Sequence, residues 1–212
     1  MKTVYVAEAN GRTGLLIVKK LVEEGFQVIG LVRQESRKND LENLGAKGVV
    51  GDLNGAFSEG LNGADAVICT AGAGINHRLD EVDHVGTVRL IEQSALQGVQ
   101  RFIMVSSMRT HDPGSMPAIK PFLLAKSKAE TVLEESGLTY TIIRPGELTD
   151  EEPCGRVSAA VHLEKSGCIP RADVASAAVM ALGIPETENL SFDIISGDTP
   201  MEQALTRFEE DS

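Results

Sequence analysis

Thr3-Val4-Tyr5-Val6-Ala7-Glu8-Ala9-Asn10-Gly11-Arg12-Thr13-Gly14 is the stretch on which the fold turns. Its first five residues are β-branched or apolar throughout, and the length suits one strand. Beyond it, apolar residues recur with helical spacing over residues 13–24. Gly25 then follows, a residue type that readily closes a helix. Between strand and helix lies a glycine turn. In such a turn backbone N–H groups can approach a pyrophosphate at the helix N-terminus, where the helix dipole is positive. Gly11-x-x-Gly14 is a weak motif alone. Its place after a strand and before an amphipathic helix makes it more specific.

The same alternation continues outward. Apolar runs predict strands at residues 27–32, 48–50, 66–70, 101–105 and 139–143. Helical periodicity predicts helices at 37–44, 80–97 and 122–135. Strands separated by helices signal βαβ units and a parallel sheet. The expected fold is therefore α/β, a Rossmann-type doubly wound parallel sheet in three αβα layers. After Arg144-Pro145-Gly146 the pattern weakens, and the polar stretch 147–167 takes no assignment. A helix at 172–182, a strand at 191–195 and a helix at 201–209 follow. With no repeat or linker, one domain over residues 1–212 is expected. Residues 147–212 would then be a substrate-side elaboration on the same sheet.

Composition narrows the partners. The 212 residues are 42% hydrophobic and 24% charged, a globular balance. A formal net charge of −11 repels phosphate backbones and anionic lipid, so neither nucleic acid nor membrane is an expected partner. No apolar run approaches membrane-spanning length, and the N-terminal apolar run is broken early by Glu8, unlike a signal peptide. A cytoplasmic location is expected. Cys69, Cys154 and Cys168 contain no CxxC and are odd in number, so they read as reduced thiols. His77, His84, His111 and His162 lack ligand spacing, and no metal is expected. An oligomer is compatible with the sequence, which carries no argument for one.

The second strand ends in Leu31-Val32-Arg33 and runs into Gln34-Glu35-Ser36-Arg37-Lys38. A ribose-reading residue belongs here, roughly 20 residues past the glycine turn. Arg33 would pair with a 2′-phosphate, with Ser36 and Arg37 closing the site. Glu35 would instead accept a hydrogen bond from a free 2′-hydroxyl. NADP(H) is favoured over NAD(H).

The turn resembles the GxxGxxG turn of the atypical short-chain dehydrogenases/reductases, the NAD(P)H-binding group that includes biliverdin reductase B and NmrA-like proteins. Glu8 stands where that pattern has its first glycine. A carboxylate about 5 Å from a pyrophosphate oxygen would cost about 3 kcal/mol at an effective dielectric near 20. The cost falls if the side chain turns to solvent. Further matches are Gly51-Asp52-Leu53, Thr70-Ala71-Gly72-Ala73-Gly74, Asp83-His84-Val85-Gly86-Thr87, Arg171-Ala172-Asp173-Val174-Ala175 and Phe192-Asp193-Ile194-Ile195. The resemblance thus covers nearly the whole chain. It implies cofactor contacts from Asn10, Gly11, Arg12, Thr13 and Gly14 in the turn. Arg33, Arg37, Asp52 and Leu53 would serve the adenosine end. Ala71, Gly72 and Ala73 would follow the fourth strand, with Lys126 and Pro145 at the nicotinamide.

The resemblance also locates the chemistry. The fifth strand ends Val105-Ser106-Ser107, and the next helix carries Phe122-Leu123-Leu124-Ala125-Lys126. The superfamily pattern there is Ser with Tyr-x-x-x-Lys, in which Tyr moves the substrate proton and Lys holds the ribose and lowers the Tyr pKa. Ser107 fits the serine better than Ser106, and Lys126 fits the lysine. Phe122 occupies the tyrosine position and has no proton to give. Tyr140 lies within a strand and reads as core. His111, in the following loop, is the local side chain with a pKa suited to proton exchange. The resemblance implies a reductase for a flavin-, quinone- or carbonyl-like small molecule, with hydride transfer the cofactor's chemistry. The alternative is a non-catalytic NAD(P)-binding sensor or regulatory protein, toward which Glu8 and Phe122 both point. Sugar-nucleotide epimerisation or dehydration also leans on the missing tyrosine.

Overall fold

The first strand, β1 (Thr3–Ala7), alternates its side chains between two cores. Val4 and Val6 enter one, and Tyr5 and Ala7 the other, as period-2 geometry requires of a strand covered on both faces. The computed structural model describes residues 2–70 and 84–208. Parallel to β1 run β2 (Gln27–Val32), β3 (Lys47–Val50), β4 (Ala66–Cys69), β5 (Arg101–Val105) and β6 (Tyr140–Pro145). Further along come β7 (Glu147–Thr149), β8 (Arg156–Ala160), β9 (Cys168–Pro170), β10 (Leu190–Ser196) and β11 (Thr199–Pro200). Among the described residues the main sheet has the order β11-β8-β10-β6-β5-β4-β1-β2-β3. From β3 to β10 every pairing is parallel, while β8 and β11 extend the far edge antiparallel. The order reverses between β1 and β4, which opens a crevice beyond their C-terminal ends.

Helices cover both faces. One layer holds α1 (Arg12–Glu23) packed against α5 (Arg171–Met180), burying Ile17, Leu21 and Val174 with Ile103 and Ile143 of the sheet. The other holds α3 (Thr87–Leu96) and α4 (Lys120–Glu135), whose Leu90 and Leu133 meet Phe102, Met104 and Ile142. Short helices α2 (Lys38–Glu42) and α6 (Met201–Leu205) complete the described elements. The fold is the expected Rossmann-type three-layer α/β arrangement. Gly25 ends α1 at φ 83° and Gly98 follows α3 at φ 74°, a conformation open to glycine at little cost.

The differences lie mostly at the far edge. The unassigned polar stretch contains β7 and β8, whose side chains are mostly half-buried, so no apolar alternation marks them. β7 pairs with β9 in a separate two-stranded sheet. The predicted helix 37–44 is a 3-10 turn over Glu35–Arg37 followed by α2. The predicted helix 201–209 stops at Leu205. The first four residues of predicted helix 80–97 lie outside the described residues, and a π turn at 84–86 precedes α3. Pro121 sits in the first turn of α4, where its missing N–H costs nothing. Among the described residues no helix is long and apolar enough to cross a membrane.

Candidate functional site

The glycine turn spans the gap from β1 to α1 on the rim of the crevice. Glu8 adopts φ 57°, the left-handed region, which costs an L-residue roughly 1–2 kcal/mol. That conformation turns the Glu8 carbonyl inward. The carbonyl accepts the Gly11 N–H at 3.0 Å, and it leaves no room beside Gly14, where a Cβ would lie 2.2 Å from it. Ala9 N–H donates to the Leu31 carbonyl at 3.1 Å, tying the turn to the exit of β2. The Thr70 hydroxyl donates to the Ala7 carbonyl at 3.1 Å, tying it to the exit of β4. Gly11 is the N-cap of α1, no side chain caps the helix, and no acid lies in its first turn. An uncapped, acid-free N-terminus whose first turn holds a glycine that admits no side chain suits an anionic pyrophosphate. Asn10 and Thr13 are half-buried here. Arg12 is exposed and paired with the Asp150 carboxylate, which also takes Arg171 Nη1 at 2.9 Å. That cluster straps the start of α1 to the segment after β7.

The residues expected to read the ribose divide in two. Arg33 stands at the turn, with its Nε 3.4 Å from Glu8 Oε1. Arg37 pairs with Asp40 at 3.2 Å, and Glu35 pairs with Lys38 at 3.0 Å, both within one short helical segment. The Glu35 contact pushes the Lys38 ammonium above its ordinary pKa. Asp52 Oδ1 accepts the Asn54 N–H at 2.8 Å, and Leu53 is buried in the core. The Leu53 carbonyl takes Arg89 Nη1 at 2.7 Å. Arg89, missed in the sequence, holds this turn through Gly55 as well, at 2.8 Å. Ala71, Gly72 and Ala73 lie outside the described residues.

At the expected nicotinamide end, α4 faces the exits of β5 and β6. Lys126 is buried, and its Nζ lies 5.9 Å from the centre of the half-buried Phe122 ring. One turn further on, buried Glu130 accepts hydrogen bonds from the Ser106 hydroxyl, the Thr110 hydroxyl at 3.1 Å and Arg144. Ser106 is thus engaged in the interior, while Ser107 is half-buried. The Pro145 carbonyl accepts Met108 N–H at 3.0 Å and fixes the loop after β5. Tyr140, expected in the core, is half-buried, and burial raises its phenol pKa.

Beyond that loop a second group assembles. His111 and His162 rings lie 4.3 Å apart between centroids. Arg109, itself at φ 69°, donates to the Glu164 carbonyl at 2.7 Å and joins the two loops. Partial burial pulls the His111 pKa below its ordinary value, and His162 pulls the same way. Asp193 faces Arg144 in the β10–β6 register and is fully buried. Its Oδ2 accepts the Leu163 N–H at 2.9 Å, while burial raises its pKa. Sequence reasoning missed Glu130, although its spacing of four from Lys126 places both on one helix face. It also missed any role for Asp193 and His162, which stand in unrevealing surroundings. A groove of about 500 Å³ between α3 and α4, lined by Ile91, Leu96 and Val132 among others, includes none of these residues. Among the described residues no group of three or more His, Cys, Asp or Glu side chains could hold a metal ion.

A reversing parallel sheet with an uncapped glycine turn at its crevice defines a Rossmann-type dinucleotide-binding protein. The chain belongs to the NAD(P)H-binding family, which it matches over residues 9–185. It is 41% identical to YhfK of Bacillus subtilis, a sugar epimerase by name and uncharacterised, over 96% of this chain and 99% of that one. It is 30% identical to sanguinarine reductase of Eschscholzia californica, over 98% and 93%. Among solved structures, the oxidoreductase ylbE of Lactococcus lactis superposes with a TM-score of 0.85 at 27% identity, over 96% and 94%. A Bacillus halodurans structure provisionally named an NAD-dependent epimerase/dehydratase superposes with a TM-score of 0.92 at 33% identity, over 97% and 99%.

Proposed function

We propose that this chain is an NADPH-dependent reductase of a flavin-, quinone- or carbonyl-like small molecule. The observation that carries the reading is the face of α4, where buried Lys126 lies between Phe122 and the Glu130 that holds Ser106. Gly11, Gly14 and the start of α1 would hold the pyrophosphate, Arg33 the 2′-phosphate and Lys126 the nicotinamide ribose. Bound NADPH would supply a hydride. Ser107 would polarise the acceptor oxygen or nitrogen, and Pro145 would line the nicotinamide site. Residues 147–212 would supply the acceptor side, within a single domain. The phenyl ring at residue 122 offers no phenol to the acceptor. Acceptors that take their proton from water or from His111 fit best. A relative named as a reductase, similar over nearly its full length, supports the same class.

Phe122 and Glu8 favour one second reading, a sensor that binds NAD(P)H and passes its redox state to a partner. The purified protein decides between them when NADPH oxidation is followed with flavins, quinones and carbonyls in turn. Turnover with any acceptor supports the reductase. Tight NADPH binding without turnover supports the sensor. No binding of either dinucleotide overturns both.

A further inference from the structure

We propose that Glu8 sets the cofactor selectivity of this chain, by holding Arg33 against the pull of a 2′-phosphate, so that NADPH is preferred over NADH only weakly. The inference rests on the dinucleotide reading above and deepens it. Its basis is the 3.4 Å contact between Arg33 Nε and Glu8 Oε1. The two partners are unequal. The Glu8 side chain is 19% exposed and that of Arg33 is 61% exposed, so the acid is the inner member and the guanidinium the outer. A ligand anion arriving from solvent meets an arginine whose charge is already shared.

Three further observations point the same way. Glu8 keeps a left-handed backbone, so its Cα is fixed at the turn and its carboxylate cannot drift far from the β2 exit. Arg37 and Lys38, the nearby bases that could compensate, are engaged by Asp40 and Glu35. The protein as a whole carries a charge of −11. A 2′-phosphate must share Arg33 with a carboxylate, and two anions on one guanidinium repel each other. A 2′-hydroxyl adds no charge and can donate to Glu8. The acid therefore weakens NADPH and leaves NADH unharmed.

The test is the ratio of NADH to NADPH dissociation constants, measured by calorimetry on the full chain. The proteins are the wild type, Glu8→Gln, Glu8→Gly, Arg33→Ala and the Glu8→Gln/Arg33→Ala double variant. Glu8→Gln keeps the side-chain shape, and Glu8→Gly suits the left-handed backbone, so at least one variant folds. Freeing one charge-assisted contact should raise the preference for NADPH about 5- to 30-fold in both. The gain should disappear in the Arg33→Ala background. An equal gain for both cofactors overturns the proposal, because Glu8 then repels only the shared pyrophosphate. A gain that survives Arg33→Ala also overturns it. If NADH binds and NADPH does not, even without the carboxylate, Arg33 is no phosphate reader, but the dinucleotide reading stands. If neither binds to any folded variant, both fall together.

Discussion

Arg144 grips Glu130 with two nitrogens, Nε at 3.1 Å and Nη2 at 2.7 Å from the same Oε2, and both side chains are buried. Ser106 and Thr110 donate to the same carboxylate. Paired this fully, the charge is held without an open lone pair facing the core. Removing one partner strands the other, which costs about 3–5 kcal/mol. Glu130→Ala should therefore lower stability by about that amount, and Glu130→Gln by less, in urea unfolding. Replacing both residues by apolar ones of similar size should cost less than Glu130→Ala alone. A single-site loss below about 1 kcal/mol would mean that water reaches Arg144.

The glycine turn gives a sharper contrast. A Cβ on Gly14 would lie 2.2 Å from the Glu8 carbonyl oxygen and 3.1 Å from Ala9, all backbone. A Cβ on Gly11 would lie 3.2 Å from the same oxygen, a gap that a small shift relieves. Gly14→Ala should cost about 1–3 kcal/mol of stability, as overpacking does, and weaken dinucleotide binding at least tenfold. Gly11→Ala should be milder on both counts. Thermal melts and NADPH titration check the order, and equal effects would count against the packing argument.

The sheet, the helices and the glycine turn were legible because each follows a period that residues 3–25 display openly. The far edge was not. β8 lies between β10 and the two-residue β11, with only Val157 of its five side chains fully buried, so its sequence carries little alternation. In the candidate site, Arg33 and Ser107 were expected from strand ends, and Lys126 from its spacing of four from Phe122 within α4. The Glu8–Arg33 pair did not, because Glu8 adopts a backbone conformation unusual for its residue type. Asp193 was hidden for a different reason. It interrupts an apolar strand, and only register shows that it faces Arg144.

Asp193 also predicts a pH dependence. Burial lifts its pKa above the ordinary carboxylate value, partly offset by the Leu163 N–H and then by Arg144, His111 and His162. The folded state therefore holds this proton more tightly than the unfolded chain. Between the ordinary and the raised pKa the folded state binds more protons, so this group's contribution to stability falls as pH rises. Asp193→Asn keeps an acceptor for Leu163 and removes the charge. It should leave the protein as stable or more stable at pH 7, with Tm up by about 2–4 °C per kcal/mol gained. It should also remove this group's fall in stability as pH rises above the ordinary carboxylate pKa. A clear loss of Tm at pH 7 would show that Arg144 and the two histidines stabilise the charge more than burial opposes it.

The proton source turns on the pairing of Phe122 with Lys126. Phe122 lies one helical turn before Lys126, and the lysine nitrogen sits 5.9 Å from the ring centre. Phe122→Tyr would put a phenol near an ammonium, which favours the phenolate and lowers its pKa. If the α4 face is the nicotinamide site, that single oxygen restores the missing acid. Carbonyl reduction should appear or rise, because proton transfer by a positioned group is worth about 10²–10⁴ in rate. Reduction of a flavin or quinone should hardly change, since those acceptors can take a proton from water. The selectivity of the gain separates chemistry from a general improvement in folding, which would raise all activities together. His111 is the internal rival, because partial burial, and then His162, pull its pKa below the ordinary value, which makes its protonated form a stronger acid. If the wild-type protein already reduces carbonyls, and its pH profile disappears in His111→Ala, the proton comes from that loop. Phe122 would then be a packing residue in a site that never needed the tyrosine.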